Sequence, residues 1–119
     1  MPAHDLIAYF SMEIALADTI PTYSGGLGVL AGDTVRSAAD GEVPMVAVTL
    51  VHRKGYFRQR LDAQGHQSED DQPWSPQDLL TELPARVAVS IEGRSVTLRA
   101  WRFDNHGVGG AAVPVSLLD

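Results

Sequence analysis

Gly25, Gly26 and Gly28 fall within four residues, and the chain that follows them sets apolar side chains at helical spacing. Leu27, Leu30, Ala31, Val35 and Ala38 share one side of a 3.6-residue period, with Asp33, Arg36 and Asp40 largely on the other. Gly41 stands where a C-terminal cap belongs and Pro44 forbids continuation, so the spacing predicts a helix ending at Ala39 or Asp40. From Thr22 to Asp33 a stretch of bare backbone therefore feeds directly into a helix N-terminus. The unpaired N–H groups of a first turn point outward, and the helix dipole adds roughly half a positive charge there, so an anion or a sugar oxygen can approach the main chain closely.

The flanking segments decide what this helix packs on. Ile7-Ala8-Tyr9-Phe10 reads as a short buried strand, and Met12 to Thr22 as a helical turn followed by a loop leading to the glycines. Met45 to Val51 is a continuous apolar, β-rich run, the pattern of a strand covered on both faces. Strand, loop, helix and strand over about residues 7–51 make a βαβ unit, for which parallel strands and a right-handed crossover are expected.

A β-rich extension follows over about residues 55–119. Gly55 to Asp62 alternates loosely, Ala63 to His66 supplies a turn, and Ser75-Pro76 marks a helix start that Leu83-Pro84 stops within two turns. Arg86–Ile91 and Ser95–Phe103 alternate around Glu92-Gly93-Arg94, which predicts a hairpin. Gly107–Gly110 reads as a flexible loop and Val113–Leu118 as one more strand, apolar on both sides and followed by no covering helix. The sheet is expected to lack parts, and the chain reads as the opening piece of a larger domain.

Bulk properties narrow the ligand class. At 119 residues, with 45% hydrophobic and 20% charged residues, the chain suits one domain or part of one. No apolar run approaches the roughly 20 residues that cross a bilayer, which predicts a soluble protein. The opening Met1-Pro2-Ala3-His4-Asp5 lacks the basic and apolar regions of a secretory signal, and the absence of cysteine agrees with a cytoplasmic setting and excludes thiolate chemistry. A net charge of -6 argues against nucleic acid as the main partner.

Three segments in order, Tyr9-Phe10-Ser11-Met12-Glu13, Tyr23 through Asp33, and Arg53-Lys54-Gly55-Tyr56-Phe57-Arg58-Gln59, resemble the start of the α-glucan phosphorylases, above all their short bacterial and archaeal branch. Val113-Pro114-Val115-Ser116-Leu117-Leu118-Asp119 is similar to a further segment of those enzymes, so the resemblance runs from about Ile7 to the last residue. It implies an α/β chain: an incomplete Rossmann-like N-terminal domain of the two-domain glycosyltransferase B-type fold, with an inserted β-hairpin region. It also implies phosphorolysis of terminal α-1,4-glucosyl units of a glucan by phosphate to glucose 1-phosphate. The family's pyridoxal phosphate is held by a lysine of the C-terminal domain, outside these residues, and the family is often dimeric; neither metal, nucleic acid nor membrane enters.

Residue by residue, the family's glycine loop falls on Gly25, Gly26 and Leu27, whose main-chain N–H groups would meet the phosphate or the transferred glucosyl group, with Gly28 allowing close loop packing. Glu13 matches a recurrent glutamate and reads as a loop-bracing carboxylate rather than a catalytic acid. Asp33 is placed to accept hydrogen bonds near the first helical turn. Ser24 replaces the asparagine of the animal-type enzymes, and His52 stands where an aromatic residue is expected. No catalytic residue is assigned within the chain, which is expected to be inactive alone.

Two other readings remain. A non-catalytic carbohydrate- or phosphate-binding module could retain the loop, and Gly26-Leu27-Gly28-Val29-Leu30-Ala31 also satisfies the dinucleotide fingerprint of a nicotinamide- or flavin-binding half-domain. Against the latter, Phe10 is well separated from Gly25, and the second strand runs into His52-Arg53-Lys54 rather than an acidic residue. Blander expectations cover the rest: Arg53, Lys54, Arg58 and Arg60 as a solvated basic face, with a contact to glucan, phosphate or a subunit partner as the functional alternative, His4, His66 and His106 as surface histidines, and Glu69-Asp70-Asp71 as a solvated charge run without a calcium loop's spacing. Trp74, Trp101, Tyr23 and Tyr56 are core or interface aromatics before they are sugar platforms.

Overall fold

The computed structural model describes residues 5–119, and His4 lies outside them. The predicted βαβ unit is present. Strand β1 (Ile7–Phe10) leads through a long irregular segment to helix α1 (Gly26–Asp40) and then to β2 (Met45–Leu50). β1 and β2 run parallel, with Ile7 beside Met45 and Phe10 beside Val48.

The later strands join the same sheet. After a separate exposed hairpin, β3 (Arg58–Leu61) with β4 (Gln67–Asp70), and a single turn α2 (Pro76–Leu79), come β5 (Thr81–Ile91), β6 (Arg94–His106) and β7 (Ala112–Leu118). β7 lies parallel to β2 and antiparallel to β6, which pairs antiparallel with β5, so the sheet order is β1-β2-β7-β6-β5. The predicted hairpin is found, longer than its alternation indicated. Glu92 and Gly93, at φ 51° and 75°, make the two-residue turn between Ile91 and Arg94 whose left-handed backbone suits the twist of paired strands. The register shifts between Glu82 and Arg86, around Pro84, which has no N–H to donate to a ladder.

One face of this sheet carries the core. α1 packs across β2, β6 and β7, bringing Ala31, Val35, Ala38 and Ala39 into one cluster with Ala47, Trp101, Val113, Val115 and Leu117. The helix's buried face is Gly28, Ala31, Gly32, Val35, Ala38 and Ala39, so it is turned from the predicted one: Leu27 and Leu30 are 50% and 64% exposed. The cause is the segment after β1. Instead of forming the expected helical turn, it crosses the start of α1 in extended form, with Ile14, Leu16 and Ile20 buried. The Ala15 N–H donates to the Gly28 carbonyl at 2.9 Å, and Arg36 Nη1 donates to the Ala15 carbonyl at 3.0 Å. Only glycine permits this approach, since a Cβ on Gly32 would stand 2.3 Å from the Ala15 carbonyl oxygen.

The far end of α1 closes as expected, at Asp40 with Gly41 as its C-cap. Val43 N–H reaches the Ala38 carbonyl and Glu42 N–H the Ala39 carbonyl, the paired bonds of a Schellman cap. The left-handed position of that cap is Glu42, at φ 56°, and Gly41 sits one residue early. The loop read as flexible is seated here: Val108 N–H donates to Asp40 Oδ1 at 2.9 Å, and a Cβ on Gly107 would be 2.2 Å from the Ala39 carbonyl oxygen. At α2, Ser75 Oγ bonds Gln77 Oε1 instead of capping the backbone, and the helix gives way to β5 after one turn.

The other face of the sheet is open. Ala47 and Thr49 of β2 are buried while Val46 and Val48 are half-buried and Leu50 is exposed, so the coverage of both faces predicted for β2 is found on one only. β1, expected to be buried, is an edge strand with Phe10 72% exposed.

Candidate functional site

The glycines of the loop fall into two classes. Gly25 precedes α1 with an extended backbone, its carbonyl accepting from Val29 N–H at 3.1 Å, and no side chain caps the helix. A Cβ on Gly25 or Gly26 would meet nothing within 4 Å. A Cβ on Gly28 would lie 2.6 Å from Tyr23 Cβ. Packing within the chain therefore demands glycine at 28 and 32, whereas at 25 and 26 bare backbone faces open space next to an uncapped first turn.

Glu13 shapes the approach to that loop. Its Oε2 accepts the Ser24 N–H at 2.7 Å and faces Ser24 Oγ at 3.5 Å, tying the segment after β1 to the residue before Gly25. Asp33 lies elsewhere: its carboxylate is exposed on α1 and accepts from Arg36 Nη2 at 3.1 Å. Leu27 projects toward solvent from the first turn.

A cavity of about 200 Å³ opens beside the loop, with Glu13, Tyr23 and Ser24 on one wall and His52, Lys54 and Tyr56 on the other. It continues into a depression of about 290 Å³ that reaches Gly25 and Phe57. Both lie beyond the carboxyl ends of the neighbouring parallel strands β1 and β2, the crevice in which open α/β sheets receive ligands. The second wall is held in place: Trp74 Nε1 donates to the His52 carbonyl at 3.0 Å, Tyr56 N–H reaches the Pro21 carbonyl at 3.4 Å, and His52 Nε2 is 3.2 Å from the Met12 carbonyl. Sequence reasoning singled out both segments but did not bring them together into one cavity. The available signal was positional, since His52 and Lys54 follow β2 much as Glu13 follows β1.

The basic stretch divides on inspection. Arg53 is exposed, as expected, but not free: its guanidinium makes a two-point pair with Asp119, through Nε at 2.8 Å and Nη2. Asp119 also accepts from Arg99 Nε at 2.8 Å and Trp101 Nε1 at 2.9 Å, and Arg99 lies over the Trp101 ring. The Arg53 hydrogen bond, joined by those from Trp101 and Arg99 and opposed by partial burial, holds the Asp119 carboxyl well below the usual carboxylate range. Arg60 pairs with Asp70 across the β3–β4 hairpin. Lys54 forms no ion pair among the described residues. His66 is exposed beside Asp62, and no cluster of potential metal ligands occurs among the described residues. Nor is any helix there long and apolar enough to cross a membrane.

No family model matches the chain. Individual proteins do. Over 99 residues it is 46% identical to the glycogen phosphorylase of Mycobacterium tuberculosis, a match covering 83% of this chain and 11% of that protein. Over 105 residues it is 38% identical to the maltodextrin phosphorylase of Thermococcus litoralis, covering 82% and 13% respectively. Glycogen phosphorylase of Aquifex aeolicus is 32% identical over 88 residues, or 74% and 12%. The chain belongs to the glycogen and maltodextrin phosphorylase family. It spans about a tenth of the length of these relatives.

Two consequences follow for this phosphorylase-family chain. The dinucleotide reading loses its second fingerprint glycine, because Gly28 is covered by Tyr23 and leaves no room for a pyrophosphate against its backbone. The residues present also do not fit pyridoxal phosphate. The single lysine, Lys54, is exposed, where a Schiff base would stand open to water.

Proposed function

We propose that the chain supplies one wall of the cleft of an α-1,4-glucan phosphorylase, as the N-terminal, Rossmann-like part of a glycosyltransferase B-type enzyme. On this reading the phosphate or the transferred glucosyl group lies against the main-chain N–H groups of Gly25, Gly26 and Leu27. Phosphorolysis sets a phosphate dianion beside a cationic sugar centre, and N–H dipoles already fixed by a helix start hold that charge without reorganising. Glu13 keeps the loop in register through Ser24, and Gly28 lets the loop lie flat under Tyr23. The observation that carries the reading is the open space over Gly25 and Gly26, with Gly25 on the rim of the depression beside the loop. The cofactor, the catalytic acid–base groups and the opposite wall come from the remaining polypeptide of such an enzyme, with glucan, phosphate and glucose 1-phosphate as its ligands and a second copy as its partner in a dimer.

The test is complementation. The purified chain, given glycogen and phosphate, is expected to release no glucose 1-phosphate. Adding a polypeptide that carries the rest of the Mycobacterium tuberculosis enzyme, from which the matched region has been removed, is expected to restore release. Product from the chain alone would overturn the dependence on a second part, and retained sugar binding without turnover after addition would favour the non-catalytic module.

A further inference from the structure

Lys54 lines two of the cavities near the loop. The one shared with Glu13, Tyr23 and Ser24 measures about 200 Å³, and a second of about 360 Å³ holds Arg53, Asp71 and Trp74. Arg53 is committed to Asp119, whereas Lys54 is exposed and forms no ion pair with Asp71, Glu13 or any other described residue. The main chain that carries it is fixed by Trp74 below and Pro21 above, so the ammonium group is offered from a supported segment.

We propose that Lys54 is a ligand-binding residue of this cleft, contacting the anionic group of a hexose phosphate whose sugar hydroxyls face Glu13. The inference rests on the phosphorylase reading and adds a residue to it. The cavity is bipolar: its lining includes Glu13, whose carboxylate is tied at one oxygen to Ser24, and Lys54, a cation that pairs with no carboxylate among the described residues. Sugar hydroxyls are donors suited to the remaining capacity of Glu13, and a phosphate is repelled from it toward Lys54, so the two charges orient the ligand end for end. Tyr23 and Tyr56 supply apolar ring surface between them, on which the hexose face can rest.

Because Lys54 is the chain's single lysine, reductive methylation with a 13C label marks it and the amino terminus alone. NMR titration of the labelled chain with glucose 1-phosphate is expected to shift the Lys54 methyl signal saturably and to move the Ser24 and Gly25 amides. Inorganic phosphate should move the lysine signal with little effect on Tyr23 and Tyr56, and glucose should leave the lysine signal in place. In Lys54→Gln, with an unchanged thermal midpoint, the Gly25 response to glucose 1-phosphate should weaken about tenfold, the scale of one charge-assisted hydrogen bond, and Lys54→Arg should recover part of it. An unmoved lysine signal, or equal affinity in Lys54→Gln, overturns the inference whatever the complementation assay shows. Lys54-dependent binding in a chain that complementation leaves inactive would refute the enzyme reading instead.

Discussion

At the residue scale, the glycines of one short stretch are there for different reasons, and substitution should separate them. Gly32→Ala drives a methyl group into the Ala15 carbonyl, an overpacking that should cost about 1–3 kcal/mol in urea denaturation. Gly25→Ala and Gly26→Ala meet open space and should leave the midpoint nearly unchanged, yet weaken glucose 1-phosphate binding measured by calorimetry. Equal loss of stability in all three would mean that Gly25 and Gly26 serve packing. Glu42 shows the reverse situation, a bulky residue where the backbone asks for glycine. Glu42→Gly should stabilise the chain by about 0.5–1 kcal/mol by removing the left-handed strain at φ 56°, read as a higher urea midpoint at constant slope.

At the scale of elements, the Asp119 carboxylate adds a side-chain tie between the turn after β2 and β6 to the ladders that already join β2, β7 and β6. Arg53 arrives from the turn after β2, Arg99 and Trp101 from β6, and Asp119 directly follows β7, with its own N–H and carbonyl both paired to Arg99. A carboxyl whose folded-state pKa is depressed contributes stability above its unfolded value of 3.8 and loses it as pH falls toward the folded value. Stability should therefore decline from about pH 4 downward, since the unfolded chain there binds the proton that the folded one refuses. Asp119→Asn should lower stability at neutral pH by about 1–3 kcal/mol, the range for hydrogen bonds to a charged group, and flatten the acid limb of denaturant midpoint against pH. A wild-type acid limb in that variant would assign the acid sensitivity to other carboxylates.

At the scale of the whole molecule, the open sheet face is the unusual feature. Parallel strands are ordinarily covered on both faces, and here α1 covers one while Phe10, Leu50 and the half-buried Val48 and Leu118 line a depression of about 270 Å³ on the other. Surface of this kind attracts apolar dyes and other copies of the chain. The double variant Phe10→Ser with Leu50→Ser should reduce dye fluorescence and concentration-dependent association in sedimentation, at a cost in stability within about 0.5 kcal/mol per site because both side chains are already exposed. If both observables stay at wild-type levels, the face is not what the dye and the other copies recognise.

The order strand, glycine loop, helix, strand was written in residues close in sequence: the apolar run Ile7–Phe10, the period of Ala31, Val35 and Ala38, the uninterrupted run Met45–Leu50. So was the resemblance to the family, carried by Tyr9 to Glu13, Tyr23 to Asp33 and Arg53 to Gln59 in that order. Periodicity finds a helix but leaves its rotation open over a few tens of degrees, and only the passage of Ala15 across Gly32 turned Leu27 and Leu30 outward. Likewise no local signal pairs Arg53 with Asp119 or brings Lys54 to the cavity that Glu13 lines. Each of those depends on residues far apart in the chain, which meet only once the sheet has closed around α1. The glycine stretch is legible as a loop from its own residues, and as half of a cleft only from the segment after β2 that faces it.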